Sequence, residues 1–361
     1  MTRIPMEILE NLYTFEVKKL DFVERKIEIP HKNINLFGPP QSGKSYIAFD
    51  FLAGFHAREY LYIDLKDMRL NDTALLELDA FVIQNAMEVI IIDNWDGIER
   101  IHNASAQKIY ISREPYPDAS LDLLYVPPLD FEEYILFEHT QASQITHTFN
   151  NFIKFGTIPR IVRANHELKN HMIQEMIREI FANETQQAIF VYLLKSVGLA
   201  FSLHQIFQKL KTGMKLSKDT FYKTVDTFIK SRMVYFIPKY NQPNAAKKIY
   251  AYDFALRDGI TFDKNFANVY ENMILIELMK YFNRIYYIGL IDFFMPEERL
   301  GIIAMPFSSR TAITTLLGRM PKEIEINRIE IITMGYEETF DYKGITIEVL
   351  PYWTWALKDE K

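Results

Sequence analysis

Hydrophobic and polar positions alternate in long blocks through the first 125 residues. Four runs read as strands: Asn33–Phe37, Glu59–Asp64, Glu88–Asp93 and Lys108–Ser112. Helical segments separate them, and strand–helix alternation predicts a parallel α/β sheet. The third run contains VIIID, a continuous apolar stretch expected of a strand covered on both faces. Pro127 and Pro128 break the pattern within YVPPLDFEEYILFEH. A helical stretch to about Ala182 follows, turning at GTIP near Gly156. Residues 183–254 read as two or three helices and then a hairpin. The remainder reads as a mixed α/β unit with short strands in RIYYIGLIDFF and IEIITM.

With 361 residues the chain is too long for one ordinary core at about 150 residues per domain. The pattern divides it into 1–127, an α/β core; 128–182, a helical segment; 183–255, helices and a hairpin; and 256–361, a second α/β unit. No apolar run approaches the roughly 20 residues of a membrane span, and the charged start MTRIPMEILENLYTFEVKKLDF is not a signal peptide. Cysteine is absent, which excludes disulfides, zinc–thiolate sites and a cysteine nucleophile. These features predict a cytoplasmic protein without a membrane partner.

The motif with the most chemistry is Gly38-Pro39-Pro40-Gln41-Ser42-Gly43-Lys44-Ser45, which follows the strand INLF and opens a helix at Tyr46. This is a G-x-x-x-x-G-K-S loop in its required strand–loop–helix setting, and it predicts binding of ATP through residues 38–46. Gly38 and Gly43 let the backbone wrap a phosphate, and the loop N–H groups and helix N-terminus supply donors. Lys44 is expected to reach the β and γ phosphates and Ser45 to bind Mg²⁺. Asp93, closing the VIIID strand, is the expected second group of the Mg²⁺ shell. The next position carries Asn94, where ATPases of this design usually place a carboxylate that polarises water. An amide orients water but accepts no proton. Asp96 or Glu99 substitutes only if the turn brings one to the γ phosphate. Ser112, at the end of KIYIS, reads as a γ-phosphate sensor or a strand-end cap. The predicted catalytic set is therefore Lys44, Asp93, Asn94 and Ser112.

Charge is uneven. The net is −6, yet residues 181–250 hold eleven Lys or Arg against three acids, a local +8 that leaves −14 elsewhere. Ser217 reads as an N-cap, and Phe221, Val225, Phe228 and Ile229 fall on one helical face with Lys223 and Lys230 opposite. Helix, helix and hairpin is the plan of a winged helix-turn-helix. Lys218, Lys223, Lys230, Lys247 and Lys248 are its candidate DNA contacts, or else a solvated lysine face. His166 and His171 in HELKNH are five apart, about 140° around a helix, and so share no metal.

In order, the P-loop, YLYIDL, VIIID, KIYIS, PPLDFEEYI, FIKFGTIPR, KKIYAYDFAL and VYENMILIEL resemble segments of a family of bacterial and archaeal AAA+-type ATPases. That family joins a P-loop domain and helical lid to a winged helix and a restriction-endonuclease-like C-terminal domain. The resemblance implies an ATP- and Mg²⁺-dependent hydrolase contacting DNA or a protein through its winged helix, and leaves homo-oligomerisation open. Asn94 implies slow hydrolysis; the alternatives are a non-hydrolysing ATP switch or a DNA-binding regulator. Only fourteen residues separate Ser112 from Pro127, with Arg113 the only arginine among them. An arginine completing the site would come from Arg100, Arg113, Arg160 or Arg163, in this chain or a neighbouring one. In the last domain Glu271 and Asp292 match the family's helix Glu and strand Asp. Ala304, Met305 and Pro306 stand where a nuclease needs Glu-x-Lys, so that domain is expected to be inactive.

Overall fold

A computed structural model describes residues 5–14, 23–118, 120–138, 144–165, 167–181, 183–320 and 325–358. The chain divides into two compact units, one of residues 1–128 with 230–232 and one of the rest.

The first unit runs α1 (Pro5–Tyr13), β1 (Ile34–Phe37), α2 (Lys44–Leu52), β2 (Tyr60–Asp64), α3 (Asp72–Leu76), α4 (Leu78–Gln84), β3 (Val89–Asp93), β4 (Gln107–Ser112) and β5 (Asp122–Tyr125). Its five strands form one sheet in the order β2-β3-β4-β1-β5, every neighbour parallel. All five residues of β3 are buried, as its unbroken apolar run requires. Alternate side chains feed two cores. Ile90 and Ile92 join Leu9, Leu78 and Phe81 on the side of α1 and α4, whereas Val89 and Ile91 join Ile47, Ala48 and Leu52 of α2 on the other. The register places Asp64 beside Asp93, and Phe37 beside both Ser112 and Tyr125. The carboxyl ends of the strands therefore form one edge, where the loop after β1 lies. The sequence pattern passes over β5, a four-residue edge strand whose first two side chains are exposed.

The second unit starts with α5 (Phe131–Phe137), α6 (Ile145–Phe155), α7 (Pro159–Val162) and α8 (Lys169–Ile180). Asp130 and Glu133 form a capping box at α5, and Gly156 closes α6 with φ +76° at the predicted turn. Next come α9 (Glu184–Lys195), β6 (Ala200–Phe201), α10 (Leu203–Gly213), α11 (Lys218–Lys230), β7 (Val234–Ile237) and β8 (Lys247–Ala251), the strands forming an antiparallel sheet in the order β6-β8-β7. Ser217 Oγ accepts from Thr220 N–H at 3.1 Å, the expected N-cap. On α11 the buried side chains are Phe221, Thr224, Val225 and Phe228. Ile229, expected on that face, is exposed.

The unit ends with α12 (Leu256–Ile260), α13 (Phe266–Leu278), β9 (Tyr286–Ile288), β10 (Ile291–Met295), β11 (Leu300–Ala304), α14 (Arg310–Leu317), β12 (Arg328–Thr333), β13 (Glu338–Tyr342), β14 (Ile345–Pro351) and α15 (Tyr352–Ala356). Its six-stranded mixed sheet has the order β13-β14-β12-β11-β10-β9. One hydrophobic cluster extends from Phe131 through Phe221 and Tyr250 to Trp355, so these segments share a core. Among the described residues no helix is long and apolar enough to cross a membrane.

Candidate functional site

The loop between β1 and α2 is built from residues that tolerate close approach. Gly38, Pro39 and Pro40 are buried. A Cβ on Gly38 would lie 2.3 Å from the Val126 carbonyl oxygen, so only glycine fits against the segment after β5. Gln41 has φ +63° and Gly43, the N-cap of α2, φ +95°. These left-handed residues turn the chain sharply enough to aim successive N–H groups into one concavity. Arg25 braces the loop from outside, donating to Ser42 O and to Pro127 O, each at 2.9 Å. Ser42 Oγ is buried and has no hydrogen-bond partner. Tyr46, on the first turn of α2, is 59% exposed.

Lys44 folds back across this loop. Its Nζ donates to Gly38 O at 2.9 Å and Pro39 O at 2.8 Å. Burial pulls its pKa down to about 7; Asp93 opposes that shift, and Arg113 and Lys66 reinforce it. A buried ammonium satisfied by carbonyl dipoles and repelled by two further cations is matched to an incoming polyanion.

Ser45 and Asp93 meet directly. Ser45 Oγ donates to Asp93 Oδ2 at 2.6 Å, and Tyr62 OH donates to the same oxygen at 2.7 Å. The other oxygen, Oδ1, accepts from Asn94 N–H at 2.6 Å. Burial and the Asp93 charge raise the Tyr62 pKa, so its hydroxyl stays protonated and donating. A serine hydroxyl and a carboxylate in contact at the mouth of a phosphate loop are hard oxygen donors, a set that fits Mg²⁺ and its waters. Tyr62 escapes the sequence reading. Its only signal is alternation, which turns it to the same face of β2 as Asp64.

Asn94 has φ +54°, a conformation that asparagine adopts more readily than most residues. Its Nδ2 donates to Asp64 Oδ1 at 2.7 Å. The two suggested substitutes for a missing carboxylate are committed elsewhere. Asp96 holds Arg100 through two bonds of 2.8 Å, and Glu99 accepts from Tyr110 OH and Ile101 N–H. The turn after β3 folds them onto their own strand neighbours. Ser112 is likewise engaged. Its hydroxyl donates to Glu114 O at 2.6 Å and accepts from Asn35 Nδ2 at 2.8 Å, the geometry of a strand-end cap. Its single hydroxyl hydrogen is given to Glu114 O. Of the other arginines considered, Arg100 is held by Asp96, Arg160 pairs with Glu179, and Arg163 lies over the Phe137 ring.

The five lysines expected to contact DNA separate into two kinds. Lys218, Lys223, Lys230 and Lys247 are exposed. Lys248, expected among the DNA contacts, is not. Its Nζ lies 2.5 Å from Glu271 Oε1 and 3.0 Å from Asp292 Oδ1, with 17% of its side chain exposed. The physical reason is β-strand alternation: Lys247 faces outward, so Lys248 faces inward onto two carboxylates. Tyr250 OH also donates to Glu271, and Ala304 N–H donates to Asp292 Oδ2 at 3.0 Å. Burial first and Asp292 second raise the Glu271 pKa to about 7. Burial is also the largest influence on Lys248, and it works downward, but Asp292 and Glu271 outweigh it and raise the lysine pKa. Among the described residues no group of three or more His, Asp or Glu side chains is placed to hold a metal. His166 lies outside the described residues, and His171 pairs with Glu175 at 3.0 Å.

No family model matches the chain. Over 97% of its length, and 94% of the other's, it is 24% identical to an uncharacterized protein of Methanocaldococcus jannaschii, MJ1544. Among solved structures it is similar to the Walker-type ATPase PABY2304 of Pyrococcus abyssi, at 12% identity and a TM-score of 0.42, over 63% of this chain and 90% of that one. It is also similar to the Orc1 protein of Aeropyrum pernix, solved in complex with DNA, at 12% identity and a TM-score of 0.33, over 64% and 87% of the two chains. Scores of this size carry no argument about the chain.

Proposed function

We propose that this protein is an AAA+-type P-loop ATPase that binds Mg²⁺-ATP at residues 38–46 with Asp93. The observation that carries the reading is Lys44, whose buried ammonium rests on the Gly38 and Pro39 carbonyls and feels the charge of Asp93, the partner of Ser45. A triphosphate gives that ammonium the anionic partner that carbonyl dipoles only approximate. The loop and α2 N–H groups surround the phosphates, and Ser45 and Asp93 hold the Mg²⁺, which when bound draws charge from the phosphate oxygens. Hydrolysis is slow, because Asn94 supplies no base and Asp96 and Glu99 are engaged elsewhere.

The segment from α9 to β8 is read as a winged helix with duplex DNA as its contact. The exposed lysines Lys218, Lys223, Lys230 and Lys247 favour that partner. The α13–β14 region is read as an inactive endonuclease-like domain, whose Glu271 and Asp292 carboxylates pair with the Lys248 ammonium of β8. The deciding experiment measures equilibrium ATP binding with and without Mg²⁺ beside single-turnover phosphate release, for wild type and Lys44→Ala. Turnover that survives Lys44→Ala overturns the ATPase reading. Tight binding with no release leaves a nucleotide switch in its place.

A further inference from the structure

Two largely buried carboxylates outside the phosphate loop, Glu271 of α13 and Asp292 of β10, are held by one ammonium. Lys248 Nζ lies 2.5 Å from Glu271 Oε1 and 3.0 Å from Asp292 Oδ1. Tyr250 OH donates to the same Glu271 oxygen, and the Ala304 N–H donates to Asp292 Oδ2 at 3.0 Å. The lysine is delivered by a fixed segment. Its Nζ lies 5.6 Å from the Tyr287 ring centroid, within cation–π range. Tyr287 N–H donates to Pro238 O, its carbonyl accepts from Tyr240 N–H, and its hydroxyl donates to Ala246 O, so β9 holds both sides of the β7–β8 hairpin.

The endonuclease-like reading of α13–β14 implies a divalent cation between such a glutamate and such an aspartate. The residues present do not fit one. A metal bound to Glu271 Oε1 and Asp292 Oδ1 at about 2.0–2.6 Å would fall at nearly the point that Nζ occupies. Ala304 offers a methyl group where a third carboxylate would stand, and among the described residues no three His, Asp or Glu side chains are placed to hold a metal. The charges are balanced by other means. One ammonium against two carboxylates leaves a single negative charge, and the Tyr250 hydroxyl and Ala304 N–H donate to the oxygens that carry it.

We propose that Lys248 is the resident cation of the Glu271–Asp292 pair, standing in for a divalent metal and making the α13–β14 region independent of one. The inference rests on the endonuclease-like reading above. Because β8 supplies the cation while α13 and β10 supply the carboxylates, the filled pair also ties the three-stranded sheet to the six-stranded one. A metal in that position would leave β8 without this tie. The pair keeps a latent affinity for divalent cations, which appears once the ammonium is removed. Two ionised carboxylates then face each other with only the Tyr250 and Ala304 donors, and a divalent cation relieves their repulsion.

Urea unfolding and Mn²⁺ calorimetry on the full chain, without nucleotide, test the proposal. Wild type and Asp292→Asn are expected to respond equally to Mn²⁺, because the pair takes no metal while Lys248 is present. Lys248→Ala is expected to lower the urea midpoint and to gain a Mn²⁺ site with a Kd of roughly 10⁻⁴ M. At about a hundredfold excess over that Kd, Mn²⁺ should restore most of the lost midpoint. Lys248→Ser repeats the measurement where the alanine variant does not fold. Lys248→Met, whose long side chain keeps the space filled, should gain no Mn²⁺ site, and neither should Lys248→Ala combined with Asp292→Asn. A wild-type Mn²⁺ site that Asp292→Asn removes overturns the proposal. So does the lack of a new site in Lys248→Ala and Lys248→Ser, or a new site that persists when Asp292→Asn is added. Incubating wild type with duplex DNA and Mn²⁺ separates the two readings. Cleavage that Asp292→Asn abolishes overturns the reading of an inactive domain and the proposal with it. No cleavage, with no new site in the Lys248 variants, overturns the proposal alone.

Discussion

Ser45 Oγ and Asp93 Oδ2, 48 residues apart in sequence, lie 2.6 Å apart at the carboxyl edge of the parallel sheet. Parallel register produces the contact, since β1 and β3 flank β4 and all three end within about a residue of one another. The hydroxyl is the first polar atom a metal would displace from the carboxylate. Ser45→Ala is therefore expected to weaken Mg²⁺-dependent ATP binding by roughly tenfold, an oxygen ligand being worth about 1–2 kcal/mol, and to leave Mg²⁺-independent binding nearly unchanged. Nucleotide titrations with Mg²⁺ or with EDTA check this.

On the proposed ATP reading, the lowered Lys44 pKa couples nucleotide binding to proton uptake. Its pKa near 7 leaves much of the population neutral in mildly alkaline buffer, and a triphosphate against Nζ raises that value. Calorimetry near pH 8 in buffers of different ionisation enthalpy is expected to show uptake of a proton, approaching one per ATP, and much less near pH 6. The free protein carries the matching stability signature. The folded pKa lies below the ordinary 10.5, so between about 7 and 10.5 the unfolded chain binds more protons and stability rises with pH. Lys44→Met removes both effects.

The architecture at the carboxyl edge of the parallel sheet was legible because its signals are local. Ile34–Phe37, Tyr60–Asp64, Val89–Asp93 and Gln107–Ser112 lie within about a residue of the strands expected from the hydrophobic pattern. The loop motif fixes its own neighbours, since a glycine, a lysine and a serine at set spacing make sense only between a strand and a helix. What stayed hidden depends on cross-strand pairing. Nothing in YLYID says that Tyr62 bonds Asp93 or that Asp64 holds Asn94; both follow from which strand lies beside β2. The partners of Lys248 are hidden for the same reason. A lysine next to a lysine counts as surface charge until strand alternation turns one of them inward, onto carboxylates 23 and 44 residues away.

That inward turn separates two lysines by their mutational consequences. Lys248→Ala strips the ammonium from Glu271 and Asp292, both largely buried, and should cost about 3 kcal/mol in urea unfolding. Lys223→Ala, on the exposed face of α11, should leave stability within about 0.5 kcal/mol. If the helix meets duplex DNA, it should instead weaken binding about equally across sequences and reduce the salt slope by about 0.9.

Gly38 provides a steric test of the loop. A methyl group there would sit 2.3 Å from the Val126 carbonyl oxygen, and that residue is tied to the sheet by its N–H, which donates to Phe37 O at 2.8 Å. Neither backbone can yield without breaking the β1–β5 edge. Gly38→Ala is expected to cost about 2 kcal/mol in denaturant unfolding and to lower ATP affinity alongside.

Installing the carboxylate that the sequence lacks is expected to fail. Asn94→Glu puts a longer side chain at φ +54°, where asparagine is tolerated and glutamate pays about 1 kcal/mol of backbone strain. It also sets a second negative charge against Asp64, whose oxygen now accepts from the Asn94 amide at 2.7 Å. Two carboxylates cannot share that contact while both are ionised, so the new side chain swings away from Asp64 or keeps a proton. Single-turnover release at neutral pH should then fall below wild type rather than rise. Adding Asp64→Asn to Asn94→Glu removes the repulsion and restores a donor opposite the new carboxylate, so the double variant should release phosphate faster than Asn94→Glu alone. A large gain from Asn94→Glu by itself would show that Asp64 exerts no such repulsion on the residue after Asp93.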